Sequence, residues 1–230
     1  MTALLALDTG TERMIVAVGV DDRVGIHEGP GGAKASTLLI GTIMRLLDEA
    51  AIGLRDLDAI AFARGPGAFT GLRTACSVTQ GLAFGVDKPV LPIDSLLVVA
   101  ENARDGARAC RVWATIDARM DQIYAAEYEF AAGAWLTREA PMLTDCEELH
   151  RRWQSDPPER VAGDALTVFG DRLQTGSAMR QPKAATSGRD LLALARGAWA
   201  RGEGVDAALA LPLYVRDKVA LTTLEREARR

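Results

Sequence analysis

Apolar positions along this chain follow two rhythms, a strand-like run and a helical stripe, and the first half sorts between them. Residues 3–7 form a short apolar run, and residues 14–20 a second one rich in β-branched side chains. Between them Asp8-Thr9-Gly10-Thr11-Glu12-Arg13 has the composition of a turn, so the pair reads as a hairpin. A third strand is expected over about 23–28, after the Asp21-Asp22 turn, and Gly29-Pro30-Gly31-Gly32 reads as a loop. Helices are expected over 34–52, 70–84 and 95–104, with Asp94 or Ser95 available to cap the third. Short buried strands are expected over 59–63 and 90–93.

The second half starts in the same way. Strands over 111–116 and 122–130 flank the turn Asp117-Ala118-Arg119-Met120-Asp121, with a third strand over about 134–137. Thr144, followed three residues later by Glu147, opens a helix running to Trp153. Asp156-Pro157-Pro158 breaks the chain, Val161 begins a short strand, and 187–200 reads as a helix. Residues 211–215 are a last extended piece, and 216–230 a charged tail, either a frayed helix or disordered. Each half thus opens with a hairpin whose turn carries an aspartate, Asp8 or Asp117. The pattern predicts a duplicated α/β domain with mixed sheets flanked by helices, divided into 1–104 and 105–215. A Rossmann sheet is not indicated, because no G-x-G-x-x-G follows the first strand.

Composition narrows the functions. With 230 residues and a net charge of −4, the chain has no overall basic field to hold a nucleic acid by itself. Its cations are nearly all arginine, with four lysines. The cysteines Cys76, Cys110 and Cys146 are odd in number and widely spaced, which argues against a disulfide framework or a zinc site and fits a reducing cytosol. The N-terminus has no basic n-region before Asp8, and no stretch approaches the roughly eighteen apolar residues of a membrane span. A cytoplasmic location without membrane contact is therefore expected.

Two turns carry the candidate chemistry. Asp8-Thr9-Gly10-Thr11 can point N–H groups and a hydroxyl at a phosphate while Asp8 holds a metal-bound water; alternatively it is a tight hairpin with Gly10 at positive φ. Arg64-Gly65-Pro66-Gly67-Ala68-Phe69-Thr70-Gly71-Leu72-Arg73 follows a strand and opens a helix that Thr70 can cap. Free N–H groups at such a helix start favour an anion, with Arg64 or Arg73 adding charge; alternatively the segment is a rigid connector.

The D-x-G-T turn resembles the first phosphate loop of the actin, Hsp70 and sugar-kinase superfamily. Gly65-Pro66-Gly67-Ala68-Phe69-Thr70-Gly71-Leu72-Arg73 with Arg64 before it resembles the signature of the TsaB family. Ile116-Asp117-Ala118-Arg119-Met120, Ile123–Tyr128, Leu82–Gly85 and Pro212–Arg216 agree in order, so the resemblance runs to about Ala220. It implies an actin-like, RNase H-like double domain, a complex with the catalytic paralogue TsaD and the ATPase TsaE, and a supporting role in threonylcarbamoyl transfer to the adenosine beside the tRNA anticodon. It implies contact with tRNA only indirectly, and ATP and metal used by the partners with neither held on this chain.

The residues agree with a degenerate site. The turn at Asp117 offers Arg119 and Met120 where the first has small and hydroxyl-bearing residues, and Arg119 has the bulk to fill the place of a phosphate. The paralogue's H-x-x-x-H is missing from the first helix, which begins Lys34-Ala35-Ser36 where family members often keep a histidine; His27 and His150 read as surface residues. Gly163-Asp164 is too isolated to read as a nucleotide cradle. An active ATP-dependent kinase of the same superfamily and an RNase H-like nuclease are the competing readings; the nuclease lacks companions for Asp8. No G-x-S-x-G elbow supports a hydrolase.

On a helical wheel, Leu39, Ile40, Ile43, Met44, Leu46, Leu47, Ala50 and Ala51 share one side of the first helix. That arc is about half the circumference, wider than the ~100° stripe that covers one sheet face. The second helix has two stripes, Gly71, Ala75, Val78 and Leu82 on one, Leu72, Cys76 and Ala83 on the other. The excess predicts a helical interface, with TsaD or with a second copy in its absence, formed by Leu39, Ile40, Ile43, Met44, Leu47, Ala75, Val78 and Leu82.

Overall fold

The computed structural model describes residues 1–216. The expected tail lies outside the described residues apart from Arg216, and so does the side chain of Lys34. The first sheet contains β1 (Ala3–Asp8), β2 (Arg13–Val20), β3 (Arg23–Pro30), β4 (Ala59–Gly65) and β5 (Val90–Asp94). The second contains β6 (Cys110–Asp117), β7 (Ile123–Ala131), β8 (Ala134–Thr144), β9 (Arg160–Ala162) and β10 (Met179–Gln181). The helices are α1 (Ala33–Glu49), α2 (Phe69–Val86), α3 (Ser95–Arg104), α4 (Cys146–Ser155), α5 (Ala165–Phe169) and α6 (Gly188–Ala200).

The two sheets repeat one topology. Their strand orders are β3-β2-β1-β4-β5 and, read from the equivalent end, β8-β7-β6-β9-β10. In each, three strands form an antiparallel meander and two more add in parallel beside the first. The duplication expected from the paired hairpins is thus present strand for strand, and the fold is the α/β actin-like one.

Side-chain alternation builds the layers. In β1, Leu5 and Leu7 join α1 and α2 in one core, while Leu4 and Ala6 face α6 in another, so both faces are buried and the strand is apolar throughout. In β6, Val112 and Ala114 face α3, while Trp113 packs edge-on to Trp153 of α4 at 5.8 Å. Helices α3 and α6 therefore lie between the sheets. The sheets separate at residue 104, and the last helix of the second half, through Leu191, Leu192, Ala195 and Ala198, joins Val98 of α3 in closing the core of the first sheet. Leu96, Val99, Ala100 and Ala103 of α3 help close the core of the second. Each inner sheet face is apolar and needs a helical layer over it, and the two helices supply that layer together.

Three local expectations also shift. Helix α1 stops at Glu49, and Ala51 beyond it has φ of 57°, which ends the helical path. Helix α4 is capped by Asp145, whose carboxylate accepts from the Glu148 amide at 2.9 Å, one residue later than the Thr144 start. Strand β8 continues to Thr144, and α5 and β10 appear where no periodic pattern was read. No described helix is long and apolar enough to cross a membrane.

Candidate functional site: two aspartate turns across a cleft

The hairpin turns at Asp8 and Asp117 have the same local geometry. The Gly10 amide donates to Asp8 Oδ1 at 2.7 Å, and the Arg119 amide donates to Asp117 Oδ1 at 2.8 Å. Each is an aspartate closing its own turn two residues on. Their surroundings differ.

Around Asp8 the chain is sealed. The Thr9 hydroxyl donates to the Gly71 carbonyl at 2.7 Å, and the Gly10 carbonyl accepts from the Ala68 amide at 2.7 Å. A Cβ at Gly71 would stand 1.8 Å from the Thr9 carbonyl oxygen, and one at Gly67 would stand 2.6 Å from that of Gly10. Leu72 fills the space over Gly10, where a Cβ would meet its Cδ2 at 2.7 Å. The glycine turn is therefore a packing joint. The start of α2 attracts negative charge, and the carbonyl oxygen of Gly10 meets it at the Ala68 amide. The Thr9 hydroxyl and the Gly10 amide, two of the groups expected to meet a phosphate at this turn, are engaged by the Gly71 carbonyl and the Asp8 carboxylate.

Asp8 itself is fully buried. Desolvation pushes its carboxyl up from 3.8 to about 6, against the opposing help of the Gly10 amide and the nearby Thr186 hydroxyl. Oδ2 has no hydrogen bond of regular geometry, so Thr186 eases the charge without pairing it.

Other residues of the glycine turn are placed differently from expectation. Helix α2 begins at Phe69 with Ala68 at its N-cap, so Thr70 lies inside the first turn and caps nothing; its carbonyl accepts from the Thr74 hydroxyl. Arg64 pairs through Nε with Asp94 at 2.6 Å, which also diverts the Asp94 side chain from capping α3. Arg73 lies 3.8 Å above the Phe69 ring and donates to the Tyr214 hydroxyl at 3.0 Å. Neither cation turns toward the Asp8 loop.

At the second turn Arg119, Met120 and Asp121 all have positive φ, of 62°, 55° and 62°. Three consecutive left-handed non-glycine residues cost about 1–2 kcal/mol each, so the surroundings must hold them. Arg172 Nη2 grips both oxygens of Asp121 at 2.7 Å, and Arg216 Nη2 donates to the Ala118 carbonyl at 2.8 Å. Arg119 reaches across the cleft to Glu12 at 2.9 Å while Nη1 stays 3.2 Å from Asp117.

Sequence reasoning set Gly163-Asp164 aside, and the structure brings it to this turn. Asp164 Oδ1 accepts from the Asp117 amide at 2.9 Å, and desolvation pushes its carboxyl up. Gly163 has φ of 116°, and a Cβ there would lie 1.9 Å from the Thr115 carbonyl oxygen. A glycine after a short apolar strand was the available signal. Among the described residues no cluster of three or more His, Cys, Asp or Glu is arranged to hold a metal ion.

The predicted interface divides into core and surface. Leu39, Ile43, Leu47 and Ala75 are buried against the first sheet, so they belong to this chain's own core and offer nothing to a partner. Val78 and Leu82 are half-buried on the same core. Ile40 and Met44, on one flank of α1, are 45% and 42% exposed; Leu38, on the opposite flank, is 50% exposed and Phe84 of α2 is 81% exposed, and the wheel selected neither. The wide apolar arc was thus a core stripe with an exposed apolar shoulder.

The family model described as "TsaD: tRNA N6-adenosine threonylcarbamoyltransferase" matches residues 24–190. A protein of Escherichia coli (strain K12) named tRNA threonylcarbamoyladenosine biosynthesis protein TsaB is 32% identical, covering 94% of this chain and 96% of its own. The chain belongs to the TsaB family. A TsaB protein of Haemophilus influenzae is 33% identical over 94% of both chains. The solved structure titled "YeaZ from Pseudomonas aeruginosa" superposes with a TM-score of 0.84 at 39% identity, covering 93% of this chain and 100% of that one. The transferase model's match begins in β3, after the Asp8 turn, so it does not include that turn.

Proposed function

We propose that this chain is a non-catalytic subunit required for forming threonylcarbamoyladenosine in tRNA, acting through a complex with a TsaD-like transferase and a TsaE-like ATPase. The observation that carries the reading is the sealed Asp8 turn. Its Thr9 hydroxyl and Gly10 carbonyl are spent on the start of α2, and the Gly71 backbone is packed against the Thr9 carbonyl, so the chain serves the pathway by contact and not by turnover. The printed names of its relatives, which place them in threonylcarbamoyladenosine biosynthesis, support the pathway. The exposed Ile40 and Met44, side by side on one flank of α1, support the mode, a helix-on-helix contact with the paralogue or with a second copy when the paralogue is missing. In this reading ATP and metal belong to the partners, tRNA is held by them, and the protein works in the cytoplasm. The net charge of −4 is consistent with that division of labour.

The test is reconstitution of tRNA modification from the TsaD-like and TsaE-like proteins with and without this chain. Modification is expected only with it. Equal modification without it, or turnover of Mg-ATP by the isolated chain, would overturn the proposal in favour of an active kinase-like enzyme.

A further inference from the structure

The last described stretch, residues 211–216, has no regular structure, yet it is tied to both halves of the molecule. Just before it, Gln80 of α2 donates to the carbonyls of Ala207 and Ala210 at 3.1 and 3.0 Å, and Cys76 Sγ donates to that of Ala210 at 3.2 Å. The chain then runs back along α2. The Leu213 amide donates to the Arg64 carbonyl at 2.7 Å, and a side chain at Gly65 would collide with Leu213 O, 2.8 Å away. Tyr214 stacks on Phe69 with ring centroids 5.2 Å apart. All of these contacts are to the first half.

Two residues later Arg216 crosses to the second half. Its Nη2 donates to the carbonyls of Ala118 and Arg119 at 2.8 and 3.4 Å, and Nη1 lies 3.0 Å from Met120 Sδ. These groups belong to the left-handed turn. A cavity of about 250 Å³ separates the glycine turn (Pro66, Gly67) from the second turn (Ala118, Tyr124), and Leu213 and Val215 form its remaining wall. Among the described residues the Glu12–Arg119 pair also spans the cleft, with side chains 89% and 73% exposed, and such pairs hold little against solvent.

We infer that residues 211–216 are an intramolecular clasp that joins the glycine turn to the Asp117 turn, on the far side of the cleft from the packing of α3 and α6, and keeps the strained second turn in place. Tyr214 is its anchor on the first half and Arg216 its hook on the second. The clasp makes closure a property of the chain, needing no small molecule between the turns. It also ties the start of α2, the helix whose far end carries Phe84, to the Asp117 turn, so the two move as one body.

The test is native-state amide exchange, read by mass spectrometry on the full chain, for Arg216→Ala and Tyr214→Ala separately. Each variant is expected to speed exchange by about fivefold or more at the end it does not touch: residues 66–73 in Arg216→Ala and residues 117–122 in Tyr214→Ala. Peptides from β1 and β6 are expected to exchange as in the unaltered chain. Effects confined to the mutated residue's own neighbours would overturn the clasp, as would unchanged exchange in both variants. A uniform rise across both sheets would overturn it too, because the segment would then add to overall stability without holding the turns together.

Discussion

Replacing Gly71 with alanine tests the central claim about the glycine turn. In an exposed helix a Gly→Ala change stabilises by up to about 1 kcal/mol, because glycine loses the most backbone freedom on folding. At Gly71 the new Cβ would stand 1.8 Å from the Thr9 carbonyl oxygen and 2.8 Å from its carbon. A relaxed carbon–oxygen contact needs roughly 3.3 Å, so the start of α2 and the Asp8 turn must part by more than about 1 Å. Parting breaks the Thr9–Gly71 and Gly10–Ala68 hydrogen bonds, each worth about 0.5–1.5 kcal/mol, and lifts Leu72 off Gly10. Uncovering Leu72 adds roughly 1.5–3 kcal/mol, so after subtracting the helix gain the net loss is about 2–4 kcal/mol. For a chain of this length that lowers Tm by roughly 4–16 °C. Gly81→Ala, in the same helix with nothing within 4 Å of the new Cβ, is the control and is expected to hold or raise Tm. Urea and thermal unfolding followed by circular dichroism measure both. Gly71→Ala as stable as the unaltered chain would refute the sealed turn, whatever the control does.

Ile40→Glu with Met44→Glu is expected to leave Tm within a few degrees while abolishing co-purification with the TsaD-like protein; Leu47→Glu, which puts a charge into the core, is expected to prevent folding, and a double variant that still binds would remove this face from consideration. Asp8 predicts a pH dependence. With the folded carboxyl raised from 3.8 to about 6, the folded chain keeps a proton that the unfolded chain has released, so stability falls as pH rises from about 4 to 6 and then levels. The difference corresponds to about 3 kcal/mol at most, and Asp8→Asn, which still accepts from the Gly10 amide, is expected to remove it and to be the more stable protein at pH 7 in denaturant titrations. Glu12→Ala is expected to change stability by less than about 1 kcal/mol, since both partners of its pair with Arg119 are mostly exposed; a loss of several kcal/mol by the same titration would show that this pair, and not the Arg216 hook, holds the cleft.

Most of the architecture could be read from the sequence, because both faces of β1, β2 and β4 are apolar and their helices have buried stripes at regular spacing. Helix α3 has the predicted limits for that reason. Strand β10, Met179-Arg180-Gln181, has no apolar run to betray it, since as an edge strand it exposes Met179 and Arg180. The outer part of β8 was hidden by Arg138, Glu139 and Pro141 on another sheet edge, where charge and proline are tolerated. At the site, Asp8, Gly65, Gly67 and Gly71 were visible as a pattern, but their purpose was not. A glycine chosen for contact with a distant carbonyl looks the same in one dimension as one chosen for a ligand. The exchange of α3 and α6 between the sheets was beyond reach for a related reason: their stripes report that they are buried, and not against which sheet.

That exchange of helices has a consequence during synthesis. When a ribosome has delivered the first hundred or so residues, the face made by Leu4, Ala6, Ala17 and Leu91 still lacks Leu191, Leu192 and Ala195, which arrive about ninety residues later. The early sheet must wait, greasy and half-covered, while the later one is made. A nascent chain halted before residue 188 should therefore be a good client for chaperones, and a gene cut at the boundary between the sheets should yield two insoluble fragments that recover only when mixed.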